Sequence, residues 1–218
     1  MSANINTQQY WEHRFATGDW EAKSGCDQTR DFAASQIRHF TIASDFSGTI
    51  LDFGCGLGDA MPVYRATYPN ASLVGMDISA SAVENCRARY GNIADFIQGT
   101  HEQVPAVDVI IASNVFEHLS NDIEVARSLL AKCRELFIIT PFREEIVAGT
   151  EHINSYDVDH FESVGPYDYH VFYSRGWGPH GWINLYVKNV LRPFFGKRIV
   201  LRKRQIMYHL VNTDHVSE

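Results

Sequence analysis

The chain is predicted to adopt an α/β fold, because short β-branched runs alternate with segments of helical period through most of its length. Such alternation is typical of βαβ units, which build a mostly parallel sheet covered by helices on both faces. The clearest strands are Thr49–Phe53, Ser72–Met76, Asp95–Ile97, Val107–Ile111 and Leu136–Ile139. A length of 218 residues favours one domain over two.

Helices are predicted around and between these strands. Ser79 is a good N-cap for the second of three helices expected inside the sheet region, and an N-terminal helix opens at Thr7. The three lie near residues 60–68, 79–90 and 121–132. We therefore expect an N-terminal segment over 1–48, a cofactor-binding half over 49–141 and a substrate-side half over 142–218.

The substrate-side half begins where the alternation lapses. From Phe142 to about Gly165 the chain is polar, aromatic and histidine-bearing, and we expect substrate specificity to reside there. The remaining predicted elements are a strand at Tyr169–Tyr173, a loop at Gly176–Gly181, an amphipathic helix at Trp182–Leu191 and a final strand at Ile199–Val211.

Composition excludes several classes of protein. With 45% hydrophobic and 21% charged residues, the chain resembles an ordinary globular protein. Its first residues lack the features of a signal peptide, and no run approaches a membrane span, so a cytoplasmic location is expected. The four cysteines are widely spaced without a C-x-x-C pair, which argues against a zinc ribbon and a disulfide framework.

Charge is unevenly distributed along the chain. The formal net charge is -7, yet no Asp or Glu occurs from Tyr169 to Thr213, where eight Lys or Arg residues stand. The rest of the chain carries 11 basic and 26 acidic residues. We expect the basic end to meet an anionic or lipid-linked intermediate or a membrane surface, whereas an extended nucleic acid would be repelled by the acidic remainder. The alternative is a solvated face whose interleaved aromatic residues belong to the core.

A glycine-rich turn follows the first strand. Asp52 precedes Gly54-x-Gly56-x-Gly58, a turn in which a ligand can approach the backbone closely. Nineteen residues beyond Gly58, Asp77 ends the next predicted strand, where a carboxylate can accept both ribose hydroxyls of an adenosine. This arrangement predicts a nucleotide-type cofactor at the carboxyl edge of the sheet.

Charge around the turn distinguishes two cofactors. A dinucleotide site places a third glycine at the sixth position and presents a helix N-terminus to a pyrophosphate. Here the sixth position is Asp59, and Asp52 lies on the other side of the turn. Two carboxylates disfavour a pyrophosphate and suit a ligand with an ammonium and a sulfonium, which favours S-adenosylmethionine over NAD.

Four segments carry a resemblance to class I S-adenosylmethionine-dependent methyltransferases. Residues 51–58 are similar to the family's motif I, 75–79 to the segment that follows it, 96–101 to its adenine-side loop and 111–119 to its motif IV. The resemblance covers roughly residues 49–141, in order and at the usual spacings. It implies a Rossmann-like, doubly wound, mostly parallel seven-stranded sheet with a reversed last strand.

The resemblance also implies the residues that bind S-adenosylmethionine. Glycine backbone surrounds the methionine moiety, Asp77 holds the ribose, and Thr100 and His101 lie near adenine, although many family members carry Asp where this chain has Thr100. Tyr10-Trp11-x-x-Arg14 resembles lid helices that cover the cofactor; an aromatic stripe packed on the sheet is the alternative. The predicted cofactor-binding residues are Asp52, Gly54, Cys55, Gly56, Gly58, Asp77, Ile78, Thr100, His101, Asn114, Trp11 and Arg14.

Catalytic candidates cluster near the ends of the fourth and fifth strands. Methyl transfer mainly requires positioning and desolvation of the acceptor, and a hydroxyl acceptor benefits from a base. Glu117, His118 and His152 resemble the ligands of divalent-metal-assisted O-methyltransferases, but those families place a further Glu where this chain has Asn114. We therefore predict these three as catalytic residues without a metal; the alternative is a helix-terminal acid beside a packed histidine.

Three functions remain open from the sequence. A methyltransferase that acts on a small molecule or biosynthetic intermediate, with oxygen as the preferred acceptor, leads. An NAD-dependent oxidoreductase is opposed by the two carboxylates at the turn, and a non-catalytic binding protein with a degenerate fold is opposed by the intact glycines. Neither the acceptor nor the oligomeric state can be identified from the sequence.

Overall fold

A single sheet organises the molecule. The computed structural model describes residues 5–174, 181–195 and 203–213. Within these ranges the strands are β1 Thr49–Phe53, β2 Ser72–Asp77, β3 Asp95–Gln98, β4 Val109–Ser113, β5 Glu135–Pro141, β6 Tyr167–Tyr173 and β7 Arg204–Val211. The helices are α1 Gln8–Ala16, α2 Asp19–Ala22, α3 Gly25–Gln36, α4 Met61–Thr67, α5 Ala80–Tyr90, α6 Asp122–Leu130 and α7 Gly181–Leu191.

The strand order is β3-β2-β1-β4-β5-β7-β6. Strands β1 to β5 pair in parallel, whereas β7 runs antiparallel to both β5 and β6. This confirms the predicted doubly wound, mostly parallel sheet with a reversed last strand. Because the order reverses between β1 and β4, a crevice opens at the carboxyl ends of these two strands, where α/β proteins bind ligands.

The core lies on both faces of the sheet. Neighbouring residues of β1 serve opposite faces: Ile50 belongs to a buried cluster that contains Tyr64 and Phe137, and Leu51 to one that contains Ile110 and Phe116. The inner strands are buried almost throughout, as expected for parallel strands covered by helices on both sides.

The helix starts agree with the cap signals in the sequence. Thr7 caps α1 by accepting a hydrogen bond from the Tyr10 amide, and Ser79 caps α5 by accepting one from the Ala82 amide. One strand is displaced from its prediction, since β4 begins two residues later than expected. The reason is that the Asp108 side chain accepts the Thr49 amide at 2.8 Å, so this residue closes the preceding loop.

The substrate-side half agrees in part with its prediction. Helix α7 matches the predicted amphipathic helix, and β6 begins two residues before the expected strand. Strand β7 is described only from Arg204, and the predicted residues 199–202 lie outside the described ranges, as do 175–180 of the predicted loop. Among the helices described, none combines the length and apolar character needed to cross a bilayer.

Candidate active site

The glycine-rich turn is anchored between two neighbouring strands. Gly54 and Gly56 have φ angles of 74° and 53°, in the left-handed region that favours glycine. The amides of Gly54 and Cys55 both donate to the Met76 carbonyl at the end of β2. A Cβ on Gly54 would lie 2.4 Å from Val115 Cγ2, so the turn fits closely against the segment after β4. Held by these contacts, the backbone of the turn lines the crevice.

Asp77 holds the turn as well as facing the crevice. Its Oδ2 accepts the Gly56 amide and its Oδ1 accepts the Ser79 amide, each at 2.9 Å. Burial raises the pKa of this carboxyl, and the two backbone hydrogen bonds oppose that rise. Each carboxylate oxygen keeps a second lone pair, with which it can accept a hydrogen bond from a ligand hydroxyl.

The two acids that flank the turn differ in their surroundings. Asp52 is buried, and desolvation, together with the nearby charge of Asp77, raises its pKa to about 7. Asp59 is also buried, but it forms ion pairs with Arg30 and Arg89. The expectation that both acids act on a ligand is therefore corrected: the charge of Asp59 is already compensated, and Asp52 alone faces the crevice.

A cavity of about 940 Å³ opens at this edge of the sheet. It brings together nearly all the residues predicted for cofactor and catalysis. The predicted residues that line it are Trp11, Arg14, Asp52, Gly54, Cys55, Gly56, Asp77, Ile78, Thr100, His101, Asn114, Glu117, His118 and His152.

Two predicted cofactor residues also have clear local roles. Gly58 does not line the cavity, and a Cβ there would lie 3.0 Å from Cys86 Sγ, so this glycine allows close packing behind the turn. Thr100 caps the short 3-10 turn that contains His101, where its side chain and the Gln103 side chain form a capping box. A threonine at this position therefore shapes the loop that lines the cavity.

Helix α1 lies over the cavity. The Trp11 ring meets the His118 ring edge-on at a centroid distance of 5.0 Å, and the Arg14 guanidinium pairs with Glu151. Glu12 fixes the same helix to the start of α5 by accepting a hydrogen bond from the Ser79 hydroxyl at 2.7 Å. These contacts agree with the predicted lid.

Glu117 is a buried acid that faces the cavity without a partner. It is 1% exposed, and neither of its carboxylate oxygens meets a hydrogen-bond donor of another described residue. Desolvation raises its pKa to about 7, and the nearby His152 opposes that rise. An acid with this pKa exists in both protonation states near neutral pH and is suited to general base catalysis.

The two histidines beside Glu117 are held through their Nδ1 atoms. His118 Nδ1 lies 3.1 Å from the Glu151 carbonyl oxygen, which can only accept, so Nδ1 carries the hydrogen and Nε2 keeps a lone pair. Burial lowers the pKa of His118 to about 4, so the ring is neutral. His152 Nδ1 contacts the Glu144 carboxylate. Burial alone would lower the pKa of His152, but the contact with Glu144 and the nearby charge of Glu117 together outweigh burial, so the pKa is raised.

The same three side chains could hold a cation. Ligand atoms of Glu117, His118 and His152 all lie within 4.8 Å of one another, and a divalent cation there would polarise an acceptor oxygen. At the position where the metal-assisted families place a further Glu, the Asn114 side-chain oxygen accepts a hydrogen bond from Gln205 at 2.8 Å. The absence of a metal therefore stays a prediction.

Several cavity residues were not predicted as site residues. The Glu151 carbonyl contacts His118, the Glu144 side chain contacts His152, and Gln205 donates to Asn114. The first two lie in the stretch where specificity was expected, but nothing in their local sequence indicates their partners. Four basic residues of the acid-free end also line the cavity: Lys188, Arg192, Lys203 and Arg204.

Comparisons with known proteins agree with this geometry. Residues 51–137 match a family model described as a methyltransferase domain. A 73-residue segment is 34% identical to trans-aconitate 2-methyltransferase from Methylobacterium radiotolerans, and covers 32% of this chain and 27% of that protein. A 77-residue segment is 34% identical to fatty-acid O-methyltransferase from Mycolicibacterium smegmatis, and covers 34% of this chain and 28% of that protein. The matches thus span about a quarter of these relatives.

The whole fold has counterparts among solved structures. The plantazolicin methyltransferase BamL, solved in complex with a triazolic desmethylPZN analog and SAH, superposes with a TM-score of 0.59 over 96% of both chains at 15% identity. Together with the matched segment and the strand order, this confirms the resemblance drawn from the motifs. The chain has the fold and the domain of a class I S-adenosylmethionine-dependent methyltransferase.

Proposed function

We propose that the protein transfers the methyl group of S-adenosylmethionine to an oxygen of a small anionic molecule. The cofactor part of this proposal is supported by the glycine-rich turn and by two acids beside it, Asp52 and Asp77. Asp77 offers lone pairs for ribose hydroxyls, and Asp52 offers a carboxylate to a cationic ligand at the crevice. The structural relative BamL was solved with SAH, the product of S-adenosylmethionine.

The single observation that supports oxygen as the acceptor is the unpartnered carboxylate of Glu117. A buried acid without a hydrogen-bond partner costs free energy unless a ligand or a proton satisfies it. An acceptor hydroxyl could donate to this carboxylate, which would remove the proton as the carbon–oxygen bond forms. His118 is neutral, and its Nε2 lone pair is a second acceptor to which the single hydrogen of the hydroxyl could be donated.

An anionic group on the acceptor is supported by the basic residues in the cavity wall. Lys188 lies on α7, Arg192 begins the 3-10 turn that follows it, and Arg204 opens β7. Lys203 is already paired with Glu144, which in turn holds His152. The two curated relatives are named for acids, aconitate and a fatty acid, which agrees with an acidic acceptor.

Binding titrations followed by a transfer assay test this function. Calorimetric titration with S-adenosylmethionine, S-adenosylhomocysteine and NAD should show binding of the first two and none of NAD. Transfer of a labelled methyl group should then be measured on paired acceptors: hydroxy acids, their amino counterparts, and forms in which the anionic group is esterified. We expect transfer to the hydroxy acids, and loss when the anion is masked.

Three results would contradict the proposal or its oxygen acceptor. Binding of NAD in place of S-adenosylmethionine would favour the oxidoreductase that the sequence left open. Binding of S-adenosylmethionine without transfer to any acceptor in a broad panel would favour a non-catalytic protein with this fold. Transfer to the amino compounds alone would support a methyltransferase but would make nitrogen, in place of oxygen, the acceptor atom.

A further inference from the structure

Helix α7 carries an apolar stripe that no described part of the protein covers. Ile183, Tyr186, Val187, Val190 and Leu191 recur at the spacing of one helix face, and all five are exposed. Apolar residues at this spacing normally face a core. The short 3-10 turn at Arg192–Phe195 that follows the helix adds two more exposed rings, Phe194 and Phe195.

The stripe is unusual for the surface of this molecule. Tyr186 is 73% exposed and Phe194 is 83% exposed. Seven of the twelve exposed large hydrophobic residues among those described fall between residues 183 and 195. Isolated exposed apolar residues are ordinary, but a contiguous group marks an interaction surface. The alternative expected from the sequence, that these aromatic residues belong to the core, is therefore wrong for Tyr186, Phe194 and Phe195.

The charges around the stripe indicate what covers it. No acid occurs from Tyr169 to Thr213, and exposed Lys188 lies on α7 while exposed Lys203 and Arg204 open the next described segment. The rest of the chain carries 11 basic and 26 acidic residues. An anionic surface would therefore attract this end and repel the remainder, so it would orient the molecule with the stripe toward itself.

We propose that the apolar face of α7 and the turn after it docks on an anionic lipid bilayer. An amphipathic helix with aromatic and branched residues on one face and basic residues beside it lies in the interface plane, with the apolar face in the acyl boundary. Lys188 of α7 and Arg192 of the turn also line the cavity, so docking places the cavity mouth beside the bilayer. This surface does not depend on the methyl transfer proposed above.

Cosedimentation with vesicles tests the surface. The full chain is mixed with vesicles of phosphatidylcholine alone and of phosphatidylcholine with phosphatidylglycerol, at low and moderate salt. We expect binding to the anionic vesicles that weakens as salt rises. The double variant Tyr186→Ser with Phe194→Ser should weaken this binding by at least about tenfold, because it removes two aromatic rings that the bilayer would bury.

A matched control tests whether vesicle binding depends on the stripe or on any exposed aromatic residue. Tyr169 is exposed on the edge strand β6, within the acid-free stretch but outside the stripe, so Tyr169→Ser should leave vesicle binding within about twofold. Titration with S-adenosylhomocysteine should give the same affinity for all these variants and shows that they are folded. If wild type binds vesicles but not this ligand, the proposed function fails and the docking surface stands.

Three results would overturn the proposal. The first is the absence of charge-dependent binding to vesicles, and the second is an equal loss in the Tyr169→Ser control. The third is self-association, seen by sedimentation velocity, that the double variant abolishes while wild type ignores anionic vesicles. In that case a second copy of the chain covers the stripe.

Discussion

The two halves of the cavity differ in how the chain builds them. On the cofactor side, the turn and its acids lie at the ends of β1 and β2, within 26 residues between Asp52 and Asp77. On the acceptor side, His118 depends on Glu151, and Arg14 of the lid pairs with that same acid across 137 positions. Cofactor geometry is thus local, whereas acceptor geometry arises from contacts between distant segments.

This difference predicts which substitutions should lower cofactor affinity and which should lower turnover. A change at Asp52 or Asp77 should act on the affinity for S-adenosylmethionine, because the proposed cofactor site is built on these two acids and the turn between them. A change on the acceptor side should act on turnover and leave the cofactor bound. Glu117 and Asp77, both buried at the carboxyl edge of the sheet, are the sharpest pair for this test.

The largest effect is expected for Glu117→Gln. If the carboxylate removes a proton from the acceptor hydroxyl, the amide should lower turnover by about 10²- to 10⁴-fold, the usual contribution of a general base. Affinity for S-adenosylhomocysteine should stay within about twofold. Turnover and affinity are measured on the same preparation. Equal losses in both would make Glu117 a structural acid at a helix terminus, which is the alternative left open by the sequence.

A smaller loss of turnover is expected at His118. His118→Asn keeps a donor that can reach the Glu151 carbonyl but removes the Nε2 lone pair, whereas His118→Ala removes both. We expect both variants to lower turnover by about 10²-fold, since each removes the Nε2 lone pair that can accept the hydroxyl hydrogen while the acceptor is positioned. Single-turnover rates at saturating cofactor are the measurement. Full activity in the Asn variant would show that His118 only supports the lid and Glu151.

Asp77→Ala should act on the cofactor alone. Loss of charge-assisted hydrogen bonds to the ribose should weaken S-adenosylhomocysteine by about 1.5–3 kcal/mol, or about 10- to 150-fold. Because Asp77 also accepts the Gly56 and Ser79 amides, thermal unfolding must be followed in parallel. Asp77→Asn is the milder control. An unchanged affinity in the folded Ala variant would contradict the assignment of the site.

Asp52 predicts a pH dependence of cofactor binding. Since its pKa is raised to about 7, the free protein holds a proton there that a cationic ligand displaces. Affinity for S-adenosylmethionine should therefore rise by up to about tenfold from about pH 6 to about pH 8. Calorimetry in buffers of different ionisation enthalpy measures the released proton. Asp52→Asn should abolish the dependence; a dependence that persists belongs to another group.

The smallest effect is expected from chelation. The sequence predicts no metal, because Asn114 stands where metal-assisted O-methyltransferases place a further Glu, and the Asn114 oxygen accepts a hydrogen bond from Gln205. EDTA should therefore leave turnover unchanged. Loss of turnover that added Mg²⁺ or Mn²⁺ restores would instead show that Glu117, His118 and His152 form a metal centre.

Most of the residues that the sequence predicted for the cofactor side line the cavity. Glycines that need positive φ, acids at strand ends and serine or threonine caps are local signals, because backbone conformation and hydrogen bonding act over a few residues. The boundary of β4 was predicted two residues early, since Asp108 closes a loop onto Thr49, a contact with a segment 59 positions away. A local pattern carries no information about such a partner.

By itself, the sequence determined the α/β class, the glycine-rich turn, the acids that face it and the polarised charge. Only the tertiary structure decided which acid remains uncompensated, since Arg30 and Arg89 neutralise Asp59 and leave Asp52 at the crevice. It also decided that Glu117 is buried without a partner and that Tyr186 faces outward. The physical reason is that burial and pairing depend on segments brought together by folding, whereas periodicity and turn chemistry depend on neighbours in the chain.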